Sequence, residues 1–362
     1  MTMHSSDLIL DILPLDGGNA RLVRVYGESP CVVLPGRLPS PDGGSLAVTE
    51  LGDYCFSENP RSMPLPAQLC RYAVDKEGVP KLLCAFGQRM DRGCRYDLTF
   101  GETAEGEELH PVCGNFLEEV SLPDTLRIMG SYAFYNCRKL RRLSAGAAGL
   151  TLGSEVFLNC FALETLVVRA EPEQVTGAFV LVNSITEAVR LFFQPQGQQP
   201  RAVLWYPAYW EDVEETPAHI LLHTFSGQGY HYRQCFLEGK LLSAEYDGIF
   251  PQGHDADDVN IMAMLCFDRL RYPWQLTAQA AQAYRVFLAQ NTGRVLQRLL
   301  KTQDQDGIRA LLALDVMDKS AFAEGAALAA KAENATAAAL LADAEYKKYA
   351  AEKKQKRYDF DF

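Results

Sequence analysis

An α+β chain is expected here: a short solenoid of stacked repeats, then a small β unit, then a C-terminal all-α domain built as a bundle or an α-solenoid. Three observations carry that expectation. A 23-residue pattern is written twice between Phe116 and Val168. A polar breaker, Gln194 to Gln199 closed by Pro200, separates it from short aromatic-rich apolar segments. From Val259 onward the apolar period becomes that of helices. A chain of 362 residues is too long for one ordinary core, so two or three domains are expected. The boundaries read from the sequence are 1–192, 193–256 and 257–362.

The first copy of the pattern is Val120, Leu122, Met129, Gly130, Ala133, Phe134, Cys137, Leu140 and Leu143. The second, 23 residues on, is Leu143, Ala145, Leu152, Gly153, Val156, Phe157, Cys160, Leu163 and Leu166. Such a unit cannot bury its own apolar face and must stack on a neighbour carrying the same face. Upstream, Gly52, Cys55 and Phe56 repeat the Gly-x-x-small-Phe word, after about ten extra residues between Pro35 and Val48. Residues 1–57 therefore read as a capping hairpin (Leu8 to Leu10 against Leu22 to Tyr26) and a first rung. Residues 58–114 interrupt the repeat, since Gly52 and Gly130 lie 78 apart. Leu82 to Phe86 and Tyr96 to Phe100 look like strands, which favours an inserted hairpin over an eroded rung. After Val168 the pattern decays through Ala178-Phe179, Ile185, Val189 and Leu191, and the stack is expected to stop near Phe193.

The words Leu122-Pro123 and Met129-Gly130-Ser131-Tyr132-Ala133-Phe134-Tyr135-Asn136-Cys137 resemble the BspA-type leucine-rich repeat, over about residues 31–57 and 116–192. The resemblance implies stacked rungs and a habit of binding, and no chemistry. Proteins of that family are often exported to the cell surface. Residues 1–20 here lack a basic n-region, their apolar run is cut by Asp11 and Pro14, and no cleavage site follows. No apolar run reaches the ~18 residues a membrane helix needs. The ten cysteines include no C-x2-C pair, and Cys137 and Cys160 fall where a rung needs a small buried residue. A cytoplasmic protein is expected, with a surface adhesin as the alternative.

Beyond Pro200, Ala202 to Trp205, Ala218 to Phe225 and Tyr230 to Phe236 read as strands, with a turn at Glu238-Gly239-Lys240 joining Tyr232 to Leu237 with Leu241 to Tyr246. Helices are expected at 259–270, 278–290, 295–300, 307–314, 320–332 and 336–356, most introduced by Asp, Thr or Asn as N-caps.

His219, His223, His231 and Cys235 have ligand-like spacing. On an extended strand, however, His219 and His223 would sit about 13 Å apart, so a structural role is preferred and no metal or cofactor is expected. His254-Asp255-Ala256-Asp257-Asp258 gathers carboxylates ahead of a helix, where they serve its free amides. An enzyme using His231, His254 and Asp257 between the β unit and the helices is the alternative, although no Gly-x-Ser-x-Gly, P-loop, dinucleotide fingerprint or His-Glu-x-x-His motif occurs.

Tyr132, Tyr135, Arg138, Lys139, Arg141 and Arg142 surround the repeat's apolar positions and are expected to be exposed, making a basic strip on a chain of net charge −11. In the tail, Tyr358, Phe360 and Phe362 alternate with aspartates after a lysine-rich helix, as in a docking peptide or a segment folded back on its own surface. The net charge argues against nonspecific binding to nucleic acid or anionic membrane. Together these features point to a non-catalytic interaction or scaffold protein with a protein partner.

Overall fold

In the computed structural model of the chain, the residues described are 7–58, 69–85, 108–215, 219, 221–253 and 257–358, with backbone only at 85, 221, 223, 252–253 and 351–358. They divide into two compact units. The first holds the described residues up to Arg201 with Ala208–Trp210 and Phe236–Leu241; the second holds the rest.

The first unit opens with the antiparallel pair β1 (Leu8–Leu15) and β2 (Asn19–Gly27), turned by Asp16–Gly18. Strands β3 (Cys31–Val33), β4 (Arg37–Pro39) and β5 (Ser45–Leu51) follow. The extra residues after Pro35 make the short antiparallel pair β4 with β5. The segment after Ser57 carries the antiparallel pair β6 (Cys70–Val74) and β7 (Pro80–Ala85), with β6 also against β1. The strand expected at 82–86 thus corresponds to β7, whose partner is 70–74; 96–100 lies outside the described residues. Asp11 and Arg71 fix that junction by a buried bidentate ion pair, Nε to Oδ1 at 2.7 Å and Nη2 to Oδ2 at 2.9 Å.

The rungs then run through β8 (Glu119–Ser121), β9 (Ile128–Met129), β10 (Arg142–Ala145), β11 (Thr151–Leu152), β12 (Thr165–Val168), α1 (Ala178–Asn183) and β13 (Val189–Phe193). Strands β3, β8, β10, β12 and β13 form one parallel ladder. Strands β5, β9 and β11 form a second, with β2 on the far side of β5. Glu119 pairs with Arg142 and Arg142 with Thr165, so the 23-residue period of the sequence is the pairing register. Thr165 pairs with Arg190, a step of 25 that makes room for α1. Between the ladders the core is closed by Val120, Leu122, Met129, Phe134, Leu140 and Leu143, each at most 1% exposed.

The second unit contains β14 (Ala202–Tyr206), β15 (Trp210–Glu215) apart from its first residue, β16 (Leu221–Ser226) and α2 (Gly229–Arg233). The short pair β17 (Phe236–Leu237) and β18 (Lys240–Leu241) belongs to the first unit. The helices of the second unit are α3 (Ser243–Gly253), α4 (Val259–Arg271), α5 (Ala278–Lys301), α6 (Gln305–Ala313), α7 (Lys319–Lys331) and α8 (Ala335–Tyr358). The strand expected over 230–236 is helical for its first half. Tyr232 and Arg233 are both fully buried, which adjacent positions on a half-exposed strand cannot achieve, and the Arg233 guanidinium donates to Gly229 O. Likewise Ser243 onward is α3, not a return strand. The two helices expected at 278–290 and 295–300 are one helix, kinked at Asn291. Side chains of Asp258, Thr277, Asp304, Asp318 and Asn334 cap the helices that follow them. No helix among the described residues is long and apolar enough to cross a membrane.

Candidate functional site

The turn that joins the second strand of each rung to the next rung sets the geometry of the outer surface. It starts at Gly52, Gly130 and Gly153. A Cβ on Gly130 would lie 2.5 Å from Asp53 N, and one on Gly153 2.5 Å from Ser131 N, so only glycine allows the rungs to close up. Two residues later the backbone turns left-handed, at Tyr54, Tyr132 and Glu155 (φ 57°, 58° and 51°), and again at Asn136 and Asn159 (φ 61° and 64°). Asparagine suits that conformation.

This path aims every second amide at the next rung. Tyr132 N donates to Ser154 O (2.9 Å), Phe134 N to Val156 O (3.0 Å) and Asn136 N to Leu158 O (3.0 Å). Between the first two rungs, Tyr54 N and Phe56 N donate to Ser131 O and Ala133 O. Phe56, Phe134 and Phe157 stack beneath, with centroids 4.9 and 5.4 Å apart. The Cys137 and Cys160 thiols donate to Phe56 O and Phe134 O, at 3.2 and 3.1 Å. Burial pushes the Cys160 thiol up to about 12 and the Cys137 thiol well above its ordinary value. None of the described cysteines forms a disulfide.

On the outside, Tyr132 stacks on Tyr54 (5.1 Å) and meets the edge of Tyr135 (6.0 Å). The Asn159 side-chain amide donates to Asn136 Oδ1 at 2.8 Å. Arg138 and Lys139 are exposed at the corner after Cys137, with no side-chain partner among the described residues. At the same register on adjacent rungs stand Phe161 and Phe116, 64% and 42% exposed. The expected strip of four exposed cations is therefore divided. Arg141 is ion-paired with Glu118. Arg142 is half-buried; burial, with the nearby charge of Arg190, lowers its pKa against the pull of Glu119. The division arises because Glu119 and Arg142 face each other across one step of the strand ladder. Tyr132 and Tyr135 are half-buried by their own stacking. The side chains of Tyr358, Phe360 and Phe362 lie outside the described residues.

The histidine and aspartate candidates are apart from this surface in the chain. His219 is exposed, its Nδ1 2.6 Å from Glu215 Oε1. His231 is exposed beside the Tyr230 ring. Asp257 accepts from Gln228 N at 3.0 Å, and burial raises its pKa. His254 and the side chain of His223 lie outside the described residues. Among the described residues, no three His, Cys, Asp or Glu side chains gather as a metal-holding group.

Two arginines that sequence reasoning passed over hold the stack. Arg24 is 4% exposed and donates from Nη1 to Tyr54 O, Cys55 O and Ser57 O at 3.0, 3.3 and 2.7 Å, closing the first turn. Its signal was its phase, because it shares the inward register of Ala20 and Leu22. Arg169 reaches back across the strand ladder to Ser144 Oγ (2.6 Å), Asp124 Oδ1 and Leu122 O. At that register the preceding rung has Gly146, where a Cβ would lie 2.6 Å from Asp124 Cα.

The comparisons agree with this geometry. Residues 112–188 match the family described as "BspA type Leucine rich repeat region (6 copies)". No curated protein and no solved structure matches the chain. The stacked rungs that run through β8, β10 and β12 are thus a BspA-type leucine-rich-repeat region.

Proposed function

We propose that this is a non-catalytic interaction or scaffold protein whose repeat surface binds another protein. The observation that carries the reading is the corner at Arg138 and Lys139, two exposed cations without a side-chain partner among the described residues, set beside exposed Phe161 and Phe116. Free cations next to exposed rings favour a partner surface that offers both carboxylates and apolar groups. Tyr132 and Tyr135 extend this surface along the turn, and Arg141 and Arg142 border it on the strand side. A net charge of −11 supports a protein partner over nucleic acid or an anionic membrane. Mostly buried cysteines with no disulfide among the described residues support a reducing compartment, the cytoplasm. The alternating Tyr358, Phe360 and Phe362 are proposed as a second contact on their sequence pattern alone.

The experiment is affinity capture from nuclease-treated lysate of the source organism, using the full chain and an Arg138→Glu/Lys139→Glu variant. The expected result is a captured protein that is released as salt rises and is lost with the variant, whose melting temperature is unchanged. Equal capture by both chains would contradict the reading.

A further inference from the structure

The turn ladder has a direction, and at its last rung that direction leaves donors without acceptors. By the repeat, Glu155, Phe157 and Asn159 aim their amides as Tyr132, Phe134 and Asn136 do, toward the place of a following turn. In that place the chain forms α1, and its carbonyls are spent within the helix: Gly177 O accepts from Leu181 N at 3.1 Å, and Phe179 O from Asn183 Nδ2 at 2.9 Å. Among the described residues no acceptor meets the three amides. Strand β11, immediately before them, is also the last strand of its ladder. One open edge therefore runs from Thr151 to Asn159. A cavity of about 410 Å³ lies against it, walled by Glu155, Phe157 and Asn159 on one side and by Asn183, Ile185 and Glu187 on the other. Its rim carries Leu158 and Phe161, 39% and 64% exposed.

We propose that this edge binds a segment of a partner protein that takes up the turn conformation of a rung and is added to the stack through its backbone carbonyls. The occupied copies of the same edge identify the occupant, because between rungs two and three the identical amide spacing is filled by carbonyls of alternate residues. A free anion would meet the Glu155 carboxylate and match only part of a row three amides long, whereas a backbone turned as residues 154–158 are supplies a carbonyl to each amide. Leu158 and Phe161 offer an apolar platform for a large side chain of the segment. Unpaired edges are templates for pairing, and this one is not blunted by proline or lysine.

The test is amide hydrogen exchange on the full chain, alone and with a synthetic peptide of sequence Thr151–Cys160, which supplies the carbonyls of one turn. In the free protein the Glu155, Phe157 and Asn159 amides are expected to exchange faster than those of Tyr132, Phe134 and Asn136. Saturating peptide is expected to slow them about tenfold. Leu158→Asp/Phe161→Asp, at two exposed positions, is expected to abolish that slowing with the melting temperature unchanged. Arg138→Glu/Lys139→Glu is expected to leave it intact, which separates this edge from the cationic corner. No slowing at millimolar peptide would overturn the proposal. So would full protection in the free protein, or protection that grows with protein concentration alone, which would put a second copy there.

Discussion

At the first rung the turn presents carbonyls, and Arg24 from β2 takes three of them with one guanidinium nitrogen. At the last rung the same turn presents amides, and the chain answers with a helix whose carbonyls are already used. The difference follows from the polarity of the ladder, in which each rung donates to the next. One buried arginine can close the carbonyl end because it is all donor. The amide end needs acceptors at a fixed interval, and only another backbone provides them in register. A stack of this kind is thus self-limiting at one end and extensible at the other.

The largest effects should come from the filled interior that both ends share. Phe134→Ala should cost about 3–5 kcal/mol in urea unfolding, as a fully buried ring lost from between two others. Phe157→Ala should cost less, since it stacks on Phe134 and is 6% exposed. Equal costs would mean that the terminal rung packs as tightly as an inner one.

Next comes the closed end itself. Arg24→Met should destabilise by about 2–3 kcal/mol, because it strands the carbonyls of Cys55 and Ser57 in a buried place. Phe161→Ser at the open end should change stability by no more than about 0.5 kcal/mol. If the two substitutions cost the same, the asymmetry between the ends fails.

A further effect is expected from pH. The Cys160 thiol is buried and raised to about 12, so the folded state holds its proton where the unfolded chain, near about 8.5, releases it. Its contribution is complete below pH ~8.5 and declines as pH rises toward 12. Urea midpoints measured from pH 8 to 11 should fall, and more steeply in the wild-type chain than in Cys160→Ala.

Much of the fold was legible because a rung repeats chemistry at a fixed distance. The small residue, the phenylalanine and the cysteine recur at 23, and the strands pair at 23. The helix starts were legible because a cap is local: one Asp, Thr or Asn two or three residues from the amide it serves. What was not legible depends on distant partners. Strand β6 finds β1 some 60 residues away, through an ion pair that no local pattern marks. The 230–236 segment alternates like a strand, yet its arginine is buried on a carbonyl four residues back. Arg142 looked like one of four equal cations, and the ladder sets it opposite Glu119. The open amide edge has no residue signature at all, because it consists of backbone groups and depends on the chain turning helical at Ala178.

The central claim is that the turn ladder runs in one direction and ends at Glu155 to Asn159. Amide exchange of the free protein tests it most directly, residue by residue. The account predicts slow exchange at Tyr132, Phe134 and Asn136 and fast exchange at Glu155, Phe157 and Asn159; matched slow rates in both sets would contradict it.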